Sequence, residues 1–138
     1  MRPEELVRQA KKAMAFAYAP YSGYKVGAAL LTKSGKLYLG CNIENAAFGP
    51  TNCAERTAIF KAVSEGEREF SCIAVVGGKD GVVEDVFPPC GICRQVMQEF
   101  CAPDFMVYMG RGDGSFEAVR LDALLPFGFS AEKYMPEN

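Results

Sequence analysis

A run with no polar face, Cys72-Ile-Ala-Val-Val-Gly77, lies near the middle of the chain between polar and glycine residues. A strand of this kind is buried on both sides, so it needs helices above and below it, as at the centre of an α/β sheet. The flanking sequence supplies them. Leu6, Val7, Ala10, Ala13, Met14 and Ala17 recur at helical spacing over residues 3–18, with Pro3 suited to a first turn and Pro20 closing the run. Residues 53–66 carry Ala54, Thr57, Ala58, Lys61, Ala62 and Glu65 at helical spacing and stop at Gly66, and residues 90–101 turn Ile92, Val96, Met97 and Phe100 inward. Residues 26–32 and 36–41 flank Lys33-Ser34-Gly35 and read as an antiparallel hairpin; residues 105–109 and 115–119 read as a second one. A short helix follows at 121–125. The order α-β-β-α-β-α-β-β predicts one three-layer α/β/α domain over residues 1–138, with a mixed five-stranded sheet.

The two predicted helices that flank the apolar strand both open on cysteine. One begins Thr51-Asn52-Cys53-Ala54-Glu55-Arg56, the other Pro88-Pro89-Cys90-Gly91-Ile92-Cys93-Arg94-Gln95. Thiols at helix N-termini meet backbone N–H groups and the positive end of the dipole, which favour the thiolate and prepare it for a metal. Three thiolates fill three corners of a zinc tetrahedron and leave the fourth for water, while a glutamate two residues after the first cysteine moves protons. This spacing matches the three-cysteine form of a known zinc-deaminase signature. Each part has a plainer reading. Asn52 and Glu55 suit a helix capping box with Asn52 as the cap, and Cys90 with Cys93 suits a redox pair or half of a structural zinc site completed by Cys41 or Cys101. The two segments together favour a catalytic zinc.

Histidine is absent, which removes Ser-His-Asp and Cys-His catalysis and any imidazole-bound metal. With a net charge of −2 and no Lys/Arg cluster on a predicted helix face, the chain has no electrostatic footprint for nucleic acid, and a small, roughly neutral ligand fits better. The longest apolar stretch, residues 26–31, is too short to span a membrane, and the polar N-terminal residues have no signal-peptide core, so the expected location is the cytoplasm. In that reducing compartment the six cysteines point to metal ligands and buried thiols.

A zinc ion with three thiolates carries a net negative charge, which opposes ionisation of its bound water. A cation must offset it. Arg56 and Arg94 are the candidates, Arg56 first because it lies in the opening turn of its helix. Asn42-Ile-Glu-Asn45, where a strand ends, suits turn capping and equally a place where α/β sites gather ligand contacts.

Beyond the cysteines, the chain resembles the small homotetrameric cytidine deaminases. The matching segments are Ala19-Pro-Tyr-Ser-Gly-Tyr-Lys-Val-Gly-Ala-Ala-Leu-Leu31, Gly40-Cys-Asn-Ile-Glu-Asn-Ala-Ala-Phe48, Asn52-Cys-Ala-Glu-Arg56, Pro89-Cys-Gly-Ile-Cys-Arg-Gln95 and Leu124-Leu-Pro126 with Phe129, in order over nearly the whole length. The resemblance implies hydrolytic deamination of cytidine and 2′-deoxycytidine to uridine and 2′-deoxyuridine with release of ammonia, in pyrimidine salvage. It implies one zinc per chain on Cys53, Cys90 and Cys93, with Glu55 as the proton shuttle. It also implies Asn42 and Glu44 on the sugar hydroxyls, the Ala54 backbone on the base, and Tyr24 and Phe129 against the ring. By the same resemblance the sites of a homotetramer are shared, the 46–48 loop, with Ala46 and Phe48, and Phe129 reaching into a neighbour's site. Phe48 stands where tyrosine is frequent in that family, Tyr24 where phenylalanine is, and Pro88 where a small polar residue is. The nearest rival is a deaminase of a cytosine nucleoside antibiotic, against which the Asn42-Ile43-Glu44 motif argues; a non-catalytic zinc module would need neither Glu55 nor that motif.

Overall fold

The computed structural model describes residues 1–135, and of Lys133 and Tyr134 the backbone alone. Five strands form one sheet in the order β2-β1-β3-β4-β5. The strands are β1 (Tyr24–Thr32), β2 (Leu37–Cys41), β3 (Phe70–Lys79), β4 (Met106–Gly110) and β5 (Phe116–Arg120). The apolar run is the core of the central strand: β3 pairs antiparallel with β1 and parallel with β4, and the outer pairs β1/β2 and β4/β5 are antiparallel.

Helices α1 (Pro3–Ala13), α2 (Ala54–Ser64) and α3 (Gly91–Phe100) supply the outer layers. On one face Leu6, Val7 and Ala10 of α1, with Met14 just beyond its end, cover Ala29 of β1 and Ala74 and Val76 of β3. On the other, Ala54, Ala58, Ile59 and Ala62 of α2 and Met97 of α3 cover Ala28, Leu30, Ile73, Val75 and Val107. Alternate residues of one strand therefore feed two separate cores, the reason its sequence has no polar face. Two short helices, α4 (Leu121–Leu124) and α5 (Ala131–Tyr134), close the chain. Among the described residues no helix is long and apolar enough to cross a membrane.

Some boundaries differ from expectation. The first helix ends at Ala13 and tightens into a 3₁₀ turn over Met14–Phe16, and Ala17 is already extended. The sequence over residues 79–87 reads as a loop, but Lys79 is the last residue of β3. Ile92 is 62% exposed and not inward, because α3 packs through Cys93 and Met97, one turn apart on a different face.

Two close approaches set the heights of α2 and α1 over the sheet. A Cβ on Gly40 of β2 would lie 2.4 Å from the Ala54 carbonyl and 2.6 Å from the Ala58 nitrogen, so only glycine lets the first turn of α2 press this close to the sheet. Gly27 does the same for α1, where a Cβ would lie 2.0 Å from the Ala10 carbonyl.

Candidate metal centre and active-site cleft

Helix α2 runs into β3 and helix α3 follows it, so both helices present their N-termini at the carboxyl end of that strand, where open α/β sheets hold their ligands. Cys53 is the cap residue of α2 and Cys90 that of α3, with Cys93 in the first turn of α3. Asn52, expected to cap α2, instead donates from Nδ2 to Thr57 Oγ1 at 3.1 Å; the cap falls one residue later, and Glu55 sits at the second helical position. The Cys93 N–H donates to Cys90 Sγ at 3.5 Å.

The sulfurs of Cys53, Cys90 and Cys93 all lie within 4.8 Å of one another, and Cys53 Sγ stands 3.6 Å from Cys90 Sγ. A tetrahedron with Zn–S arms of about 2.3 Å has edges of about 3.8 Å. The cluster thus fits a zinc ion with small adjustments. Among the described residues neither Cys41 nor Cys101 joins it, which leaves a fourth corner free of protein thiol. Cys101 has an inert thiol, pushed up to about 12 by burial.

Charge at the cluster is arranged for an anion. The Cys53 thiol is brought down to about 5 by the hydrogen bond from Cys93 and, against burial, by Arg56, whose Nη2 donates to Cys53 Sγ at 3.2 Å. That same Cys53–Cys93 bond, with burial behind it, pushes the Cys93 thiol up. Arg94 is occupied elsewhere: Nε donates to the Pro89 carbonyl at 2.8 Å and Nη1 to the Leu124 carbonyl at 2.7 Å. Glu55 is only 3% exposed, and its burial pushes the carboxyl up to about 7.

A cleft of about 200 Å³ opens above the cluster, lined among others by Tyr24, Asn42, Glu44, Cys53, Glu55 and Cys90. Short backbone pairings draw these segments together. The N–H of Ile43 donates to the Asn52 carbonyl and that of Asn52 returns to the Ile43 carbonyl, both at 2.9 Å, while Tyr18 N–H donates to Asn42 O and Glu44 N–H to Tyr18 O. Asn42 is buried; its Oδ1 accepts from the Val26 N–H at 2.9 Å and its Nδ2 donates to the Tyr24 carbonyl at 2.7 Å, which fixes the amide and leaves one Nδ2 hydrogen. Glu44 accepts from the N–H groups of Tyr21 and Ser22 and from the Ser22 hydroxyl, which holds its carboxyl below the usual range.

Ala54 is fully buried beneath the site. Of the expected lid residues, Ala46 and Phe48 sit on an exposed loop and Phe129 on an exposed tail, none of them lining this chain's own cleft. Ser22 and Phe87 line it without having been anticipated; the Phe87 ring lies 6.1 Å from that of Tyr24. Phe87 directly precedes the double proline, the one sequence signal that could have marked it.

Residues 1–109 match the family model described as the cytidine and deoxycytidylate deaminase zinc-binding region. The chain belongs to this family. Curated relatives include the cytidine deaminases of Sporosarcina psychrophila, 51% identical over 96% of this chain and 94% of that protein, and of Halalkalibacterium halodurans, 50% identical over 96% and 97%. Among solved structures, a cytidine deaminase from Burkholderia pseudomallei superposes with a TM-score of 0.87 at 46% identity, covering 94% of this chain and all of that one. The Mycobacterium tuberculosis cytidine deaminase superposes at 0.79 with 36% identity, covering 94% and 98%. Family membership and the cysteine geometry thus agree on a zinc-binding deaminase domain with a mixed five-stranded sheet.

Proposed function

We propose that this chain removes the 4-amino group of cytidine and 2′-deoxycytidine by hydrolysis, giving the uridine and ammonia. The observation that carries this reading is a buried carboxyl, Glu55, facing the same cleft as the Cys53/Cys90/Cys93 cluster; a structural zinc site needs no such group. Cys53, Cys90 and Cys93 would hold a zinc ion, which when bound would supply an activated water to the cleft. Glu55, with its carboxyl near 7 from burial, is matched to take a proton from the attacking water and give one up within the same cycle. It passes the proton to ring N3 as water adds at C4, then to the departing amino group, so that one water is consumed and one ammonia leaves. Arg56 offsets the thiolate charge at Cys53. The Ala54 backbone meets the base, and Tyr24 stacks beside it with Phe87 behind. On the sugar side, Asn42 offers its spare Nδ2 hydrogen and Glu44 an acceptor.

The chain acts as one domain and works as a cytoplasmic homotetramer in pyrimidine salvage, its sites completed by neighbours. Two features support sharing. The cleft is below the roughly 300–1,000 Å³ of a complete ligand pocket, at about 200 Å³. Meanwhile Phe48 is 87% and Phe129 54% exposed, apolar surface suited to an interface.

Zinc per chain, measured together with ammonia released from cytidine, tests the proposal: one zinc and turnover are expected. Glu55→Gln should keep fold and zinc but lose at least about 10²-fold in kcat. An active glutamine variant would remove Glu55 from the mechanism.

A further inference from the structure

Ser22 engages Glu44 at both carboxylate oxygens. Its N–H donates to Oε1 at 3.0 Å, beside the Tyr21 N–H at 2.9 Å, and its hydroxyl donates to Oε2. That hydroxyl also accepts from the Tyr24 N–H at 3.0 Å, and the Ser22 carbonyl accepts from Lys79 Nζ at 2.6 Å. Lys79 Nζ in turn lies 5.2 Å from the centre of the Tyr24 ring, and the Asp80 N–H ties the Gly23 carbonyl at 2.7 Å. Ser22 is therefore the hub that joins Glu44, Tyr24 and the end of β3.

An ionised carboxylate offers about four acceptor positions. Two on Oε1 are filled by backbone N–H groups and one on Oε2 by the Ser22 hydroxyl, which leaves one, on Oε2, toward the cleft that Ser22, Tyr24, Asn42 and Glu44 line together. A glutamate has three rotatable bonds, and ordering a free one at the moment of binding would weaken the complex. Holding both oxygens removes that cost beforehand.

We propose that Ser22 is a positioning residue that presents the single remaining acceptor of Glu44 to one hydroxyl of the ligand's sugar, and so sets selectivity for a hydroxylated sugar. The inference rests on the cytidine-deaminating reading. It confines the effect of Ser22 to substrates that carry the hydroxyl. Cytidine and 2′,3′-dideoxycytidine, which lacks both ring hydroxyls of the ribose, distinguish it from a general role in holding the loop.

The test is steady-state kinetics of the zinc-loaded enzyme on both nucleosides. Ser22→Ala should lower kcat/KM for cytidine about fivefold, nearly all of it through KM, and leave dideoxycytidine within about twofold of the native value. Ser22→Thr should restore cytidine use, whereas Ser22→Val, of the same shape without the hydroxyl, should behave as the alanine variant. An equal loss on both nucleosides, or none on either, overturns the proposal. If Ser22→Ala fails to fold, the threonine and valine pair decides alone. Failure of the underlying reading looks different: native enzyme, zinc-loaded, that releases no ammonia from cytidine refutes the reading and this inference with it.

Discussion

Arg56 Nη2 donates to Cys53 Sγ across 3.2 Å, whereas Arg94, which follows a ligand cysteine on α3, spends its guanidinium on the Pro89 and Leu124 carbonyls. Two arginines that each neighbour a site residue in sequence therefore have different work, as the placement of Arg56 in the opening turn of its helix led us to expect. Arg56→Gln removes the cation nearest the thiolates and should weaken zinc binding about tenfold, within the usual range for a group hydrogen-bonded to a metal ligand. Competition with a chromogenic chelator measures it, and an unchanged zinc affinity would dismiss Arg56 as the offsetting charge.

Arg94→Gln should act on stability. It removes charged donors from two half-buried carbonyl bonds, at a cost of about 1–2 kcal/mol and a melting temperature lower by roughly 5–8 °C. Zinc affinity should stay within about twofold of native. A zinc defect larger than that of Arg56→Gln would reverse the assignment.

Gly40→Ala should move the first turn of α2. Its Cβ would lie 2.4 Å from the Ala54 carbonyl, a backbone atom that can yield only if the helix shifts, and with it Cys53 and Glu55. A loss of about 1–3 kcal/mol is expected, together with faster zinc release. Gly49→Ala, whose Cβ would meet nothing within 4 Å, is the control and should change stability by less than about 0.5 kcal/mol. Equal behaviour of the two variants in calorimetry would show that the close approach at Gly40 is not limiting.

Phe129→Ala should raise KM while zinc is retained, because the ring stands outside its own chain's cleft. Mixed with inactive Glu55→Gln subunits under conditions of exchange, it should regain activity, since some sites then join an intact Glu55 to an intact Phe129. Exchange without recovery, or a fully active monomer by light scattering, would show that each chain closes its own cleft.

The sheet, its order of elements and the cysteine cluster were legible because each is written in local spacing: period-two hairpins, an unbroken apolar strand, and thiols at helix starts. Where the reading slipped, the deciding contacts came from outside the local window. Asn52 has the chemistry of a cap, but its pairing with Ile43 keeps it extended and passes the cap to Cys53. Ile92 obeys the helical period, yet α3 meets the sheet through the neighbouring stripe of Cys93 and Met97. Ser22 lies in a family-matching segment that assigned it no role, and Lys79 gave no signal; they matter because a loop before β1 folds back onto the end of β3 and onto Glu44.

The position of β3 between the two thiol segments also bears on how the chain assembles. The β1/β2 hairpin closes over a few residues, but β1 meets β3 through pairs as distant as Tyr24 and Lys79, and Cys53 meets Cys90 only across the strand that separates them in sequence. Non-local pairing of this kind is slow, because chain entropy is lost before contacts repay it. An ion that needs all three sulfurs finds them together only when the middle strand has seated, so its binding free energy favours the folded chain. The complete three-sulfur site is thus a property of the long-range pairing and of no local segment of the chain.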